Sequence, residues 1–188
     1  HRTCAKGAAL LQDFGRDVHT GIGGTGVVGV LQRGNGPGAI GLRADMDALP
    51  IVERNSAAYK STTEGVMHAC GHDGHTAMLL GAARHLATDG DFSGRAVFVF
   101  QPAEEIAPSG APAMIEAGVL DGLEAIYAVH VDPSLDVGRF GTRVGSMTAA
   151  CSPFAVRVES DRSGHSARPH EAVDTVWVAT QVVQQLYQ

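Results

Sequence analysis

The chain has 188 residues, 44% of them hydrophobic and 18% charged, which is ordinary for a globular protein with one well-cored domain and the beginning of another. Twenty acidic and 14 basic residues give a net charge of -6 with no basic cluster, which excludes nucleic acid as the partner. No apolar run approaches the roughly 18 residues of a membrane span. The three cysteines are widely separated, with no CxxC pair, so the chain reads as belonging to a reducing compartment, the cytoplasm.

Residues 5–14 read as a short amphipathic helix, and TGVVGVLQ (25–32) and AIGLRAD (39–45) as strands divided by the turn-forming RGNGPG. The polar stretch 52–65 reads as loop. A helix is predicted from Asp73, its N-cap, to an exit at Gly90, with Met78, Leu79, Ala82, Ala83 and Leu86 on one side. RAVFVFQ (95–101) is a strand of the buried kind, PAMIEAGVL (112–120) a helix, and EAIYAVHV (124–131) another buried strand. This alternation predicts an α/β fold, a sheet with helices on both faces. Near residue 147 the pattern shifts. FAVRVES (154–160) alternates apolar and polar like a half-exposed strand, and a loop and a final helix (171–187) follow. The expected domains are 1–147 and 148–188. The absence of an initial Met and a last residue inside a helical pattern read as two cut ends.

Four segments carry candidate chemistry. MHACGHDGHTAM (67–78) packs thiol and imidazole groups, the usual ligands of zinc-like metals. Cys70 and His72, two apart on extended backbone, project to one side, whereas His75 lies already on the helix. FQPAEE (100–105) ends an apolar strand in two carboxylates, a costly arrangement unless something positive meets them. In extended backbone Glu104 and Glu105 point to opposite sides, so one can bind a metal while the other acts as general base. His130 stands at the end of the next strand. Alone it would read as a core histidine, but three junctions that each deliver ligand-type side chains point to one metal site at the carboxyl ends of the strands. SGHSARPH (163–170) presents His165 in a loop that either reaches a substrate or forms a surface turn. GIGGTG (21–26) matches a dinucleotide fingerprint literally, but strand follows it where a helix is required.

Taken in order, VHTGIGGTGVVGVL, GLRADMDALP, HACGHDGHTAMLLGAA, QPAEE, the His of YAVHV and GHSARPH resemble the M20-type metallopeptidases. The likeness is to their amidohydrolase branch of N-acyl-amino-acid amidohydrolases, hippurate hydrolases and auxin-conjugate hydrolases. The resemblance implies a zinc-exopeptidase-like catalytic domain, here incomplete, and the start of a smaller α+β lid domain that also mediates homodimerisation. It implies two divalent metal ions, Zn or Mn, with Cys70 bridging and His72, Glu105 and His130 as further ligands. Glu104 would be general base and then acid, and His165 would stabilise the oxyanion. Asp45-Met46-Asp47 departs from the wider clan's His-x-Asp, so the resemblance does not make Asp45 a ligand. A further ligand His of the family lies beyond the region matched. The implied reaction is hydrolysis of the amide bond of an N-acyl amino acid or similar small conjugate. Its rivals are a truncated or degenerate non-catalytic metal-binding fragment, and a dipeptidase or a deacetylase with the same chemistry.

Overall fold

In the computed structural model, which describes all 188 residues, the chain runs α1 (Arg2–Asp13), β1 (Asp17–Ile22), β2 (Gly26–Arg33), β3 (Ala39–Asp45), α2 (His72–Thr88), β4 (Gly94–Gln101), α3 (Gly110–Glu116) and β5 (Ala125–Ala128). A 3-10 turn at Pro169–Glu171 and α4 (Thr175–Leu186) follow. The chain divides into two compact units, His1–Val137 and Gly138–Gln188.

All five strands form one mixed sheet in the order β1-β2-β4-β3-β5. β1 and β2 form an antiparallel hairpin and β2 pairs antiparallel with β4, while β3 runs parallel to both β4 and β5. The apolar run of β4 is continuous because the strand is buried on both sides. Ala96, Phe98 and Phe100 pack with Leu11 of α1 and Leu79 and Ala83 of α2, whereas Val97 and Val99 pack with Met114 of α3. Helices therefore cover both faces, as the alternation of elements predicts. The crossover from β3 through α2 to β4 and the crossover from β4 through α3 to β5 travel in opposite directions across the sheet. With right-handed crossovers, that reversal puts the two helices on opposite faces. It also opens a crevice at the carboxyl ends of β3 and β4, where Asp45 and Gln101 are paired in register.

Several expectations are corrected. β1 does not stand out in the sequence because it is a polar edge strand, with only Val18 and Ile22 partly buried. The glycines of GIGGTG make its hairpin, with Gly23 and Gly24 at φ 60° and 96°, conformations that side chains resist. The N-cap of α2 is Gly71, not Asp73, which lies in the first turn with its carboxylate near the helix N-terminus. Met78 is exposed, because the buried side of α2 is set by His72, His75, Thr76, Leu79 and Ala83. Helix α3 ends at Glu116, short of the expected 120. Residues 154–160 form no strand: the second unit offers no partner strand, and an unpaired strand leaves its backbone groups unsatisfied. The last helix starts at Thr175 rather than 171, where Asp174 accepts hydrogen bonds from the amides of Val176 and Trp177.

Candidate metal centre

The carboxyl ends of β3, β4 and β5 each release a short segment into the crevice, and the start of α2 comes up against them. Leaving β3, the chain passes Asp45, Met46 and Asp47 and enters a long loop pinned by the isolated bridge between Leu49 and Met67. It returns at Cys70 through a turn, not the extended backbone expected from the sequence. Gly71 adopts φ 79° and ψ 16°, and a Cβ there would collide with the Val131 side chain. Only glycine allows this reversal and close approach together. The same turn brings Cys70 and His72 into one group.

After β4 the chain bends at Ala103, whose φ is 51°. Glu104 and Glu105 lie on this bend, not on extended backbone, and they do not part to opposite sides. One oxygen of each lies within 4.8 Å of the other and of a His72 ring nitrogen. The Cys70 sulfur and ring nitrogens of His72 and His130 form a second group of the same tightness. His72 belongs to both.

Hydrogen bonds fix the orientation of the rings. His72 Nδ1 lies 3.0 Å from the Asp47 carbonyl oxygen and 3.3 Å from Asp47 Oδ1. Both can only accept, so Nδ1 carries the proton and Nε2 the lone pair. That Nε2 is buried with no hydrogen-bond partner, 3.6 Å from Asp45 Oδ2 and 3.9 Å from Glu105 Oε1. His130 Nδ1 donates to the Val131 carbonyl at 2.7 Å, and its Nε2 faces Cys70 Sγ at 3.4 Å. The second oxygen of Asp47 accepts the Glu105 amide at 3.0 Å, so one carboxylate braces a histidine and the segment that carries Glu105.

The electrostatics are those of a negative cluster. Burial pushes the Cys70 thiol up to about 11, and a hydrogen bond with Glu105 and the charges of Glu105, Glu104 and Asp45 act in the same direction. Asp45 differs. Burial works to raise its carboxyl, but the hydrogen bond with His75 and the charge of Arg43 outweigh it and hold the carboxyl below the usual range. An orphaned imidazole lone pair, a thiol and two carboxylates are a donor set that fits divalent cations of the zinc or manganese type. Braced by Asp47, His72 has the carboxylate–histidine arrangement common behind metal ligands.

His75 lies in the same buried layer, yet both of its nitrogens are engaged by Asp45 and the Val131 amide. Sequence reasoning placed none of Asp45, Asp47 and His75 among the ligands; the signal was Asp45-Met46-Asp47 at a strand end. His165 belongs to the second unit, where it is exposed and its Nδ1 accepts the Ala167 amide at 3.1 Å.

A mixed α/β sheet that gathers thiol, imidazole and carboxylate groups at its carboxyl edge defines the class: an α/β domain built around a metal centre. The chain belongs to peptidase family M20/M25/M40, which matches residues 41–188. It is 44% identical over 184 residues to thermostable carboxypeptidase 2 of Saccharolobus solfataricus, covering 96% of this chain and 46% of that protein. It is 43% identical over 180 residues to an N-acyl-L-amino acid amidohydrolase of Geobacillus stearothermophilus, covering 94% of this chain and 48% of that protein. Among solved structures, the Bacillus subtilis YxeP protein, a dinuclear metal-binding peptidase of the M20 family, is 41% identical with a TM-score of 0.68, over 73% of this chain and 38% of that one. The chain thus spans about half the length of the curated relatives it matches.

Proposed function

We propose that the whole protein hydrolyses the amide bond of N-acyl amino acids or similar small conjugates. The observation that carries this reading is the buried, unpartnered Nε2 of His72, facing a thiol and two carboxylates. Cys70, His72, Glu105 and His130 would hold two divalent metal ions, Zn or Mn. Such ions, when bound, polarise a carbonyl and lower the pKa of water from about 16 to about 7 in zinc sites.

Glu105 is the inner carboxylate of the pair, partly buried and tied by its amide to Asp47. Glu104 is exposed and free to face a substrate. It takes a proton from the attacking water and returns it to the leaving amine nitrogen, a role worth about 10²–10⁴-fold. His165 offsets the oxyanion charge in the whole protein, and the second unit contributes to a homodimer. The three free thiols, Cys4, Cys70 and Cys151, suit the reducing cytoplasm.

The test is Glu104→Gln in the whole protein, with metal content measured alongside turnover. Retained metal with turnover reduced by at least about 10²-fold is the expected result; turnover near wild type with metal bound would remove Glu104 from the role of base. Peptide hydrolysis is the second reading, favoured by the likeness to a carboxypeptidase. Comparing kcat/KM for an N-acetyl amino acid and for a dipeptide separates the two.

A further inference from the structure

Two of the most deeply buried polar side chains near the centre are outside the proposed ligand set. Asp45 and His75 are each 1% exposed. His75 Nδ1 lies 2.6 Å from Asp45 Oδ1, and the Val131 amide donates to His75 Nε2 at 2.9 Å. An amide can only donate, so Nε2 carries the lone pair and Nδ1 carries the proton given to Asp45. Neither nitrogen has a lone pair left for a cation.

The second oxygen of Asp45 accepts from Arg43 Nη1 at 2.7 Å. Arg43 also donates through Nε and Nη2 to Gln101 Oε1, at 3.0 and 2.8 Å. A continuous chain of hydrogen bonds thus runs from the ends of β4 and β3 through His75 to Val131. Its far end matters because the β5 ladder stops at Ala128. Beyond that point the sheet no longer sets the path of the backbone, and His130 is itself exposed. What fixes the peptide unit joining His130 to Val131 is the bond to His75. The two rings meet edge to face, with centroids 4.5 Å apart.

We propose that the Asp45–His75 pair is a positioning element: it holds the amide next to His130, so that His130 Nε2 is presented to Cys70, and ligates no metal itself. This rests on the reading of His130 as a metal ligand. The buried carboxylate keeps His75 in the one tautomer that can accept from Val131, and Arg43 offsets the charge of that carboxylate. The arrangement resembles the outer layer behind ligands in other metal sites, but it acts through the main chain of a neighbour rather than through the ligand's own ring.

The test uses Co²⁺ as the probe, reading both affinity and the visible spectrum of the bound ion. His75→Asn keeps a donor near Asp45 but loses the acceptor for Val131; His75→Gln carries an acceptor oxygen farther out. The expected losses of affinity are about 10–100-fold for His75→Asn and smaller for His75→Gln, with the His75→Asn spectrum moving toward that of His130→Ala. In the His130→Ala background, His75→Asn should cost little more. The same full loss in both backgrounds, or no loss in the wild-type background, overturns the proposal. If His75→Asn does not fold, Val131→Pro removes the donor and leaves the buried pair in place, and it must weaken Co²⁺ binding in the same way. Failure of the unmutated protein to bind Co²⁺ would overturn the metal reading itself, and it is recognised before any variant is made.

Discussion

His72 is held by Asp47 from two sides, its Nδ1 lying 3.0 Å from the backbone carbonyl and 3.3 Å from the carboxylate of that residue. The opposite nitrogen is left buried and without a partner. Orientation and lone pair are thus decided before any ligand arrives, by a residue two positions beyond the end of β3. The same carboxylate accepts the Glu105 amide, so changing it loosens two donors together.

Asp47→Ala is therefore expected to lower Zn²⁺ affinity by about 10–100-fold, with Asp47→Asn in between because its oxygen can still accept one of the two bonds. Competition against a chromophoric chelator measures this. Equal affinities in all three proteins would detach Asp47 from the centre.

Gly71→Ala places a Cβ on a residue at φ 79° and drives it into the Val131 side chain. Left-handed backbone at a non-glycine residue costs about 1–3 kcal/mol, and each kcal/mol lowers Tm by roughly 2–4 °C in a chain of this size. Thermal unfolding followed by circular dichroism should show at least that fall. A Tm unchanged from wild type would mean that the turn before α2 has another conformation.

Phe98 is fully buried at the centre of the sheet, whereas Phe140 is 90% exposed. Phe98→Ala should cost about 3–5 kcal/mol through lost burial and the cavity left behind. Phe140→Ala should leave the urea midpoint where it is. Similar shifts for both variants would contradict the assignment of the core.

Glu53 clamps the loop between β3 and α2. The Ser61 amide donates to one of its oxygens at 2.7 Å and the Asn55 side chain to the other at 2.6 Å. Those two bonds, chiefly the one from the Ser61 backbone, hold its carboxyl below the usual range. A depressed folded value means the clamp is present above the unfolded pKa of about 4.3 and is lost as the pH falls through the lower folded value. The Ser61 amide resonance should titrate with a midpoint below about 4.3. In Glu53→Gln that transition should disappear.

The residues of the site were legible to different degrees. Cys70 and His72 stand out because thiol and imidazole crowd a few positions, and Glu104 and Glu105 because two carboxylates follow an apolar strand. The geometry joining them was not legible, since it depends on left-handed backbone at Gly71 and Ala103, which replaces the extended path that spacing alone suggests. Asp47 and His75 gave weaker signals, because a bracing role depends on which groups a fold brings within 3 Å.

The sequence by itself determined the kind of chemistry at the centre. Donor atoms belong to side chains, and a buried strand such as β4 announces itself by composition. Only the tertiary structure decided how the donors divide. The reversal in strand order opens the crevice between β3 and β4, and the hydrogen bonds within it sort the imidazoles. His72 keeps a free lone pair, while both nitrogens of His75 are engaged. That distinction rests on contacts between segments far apart in the chain, with His75 and Val131 separated by 56 residues. Local pattern carries no record of such contacts.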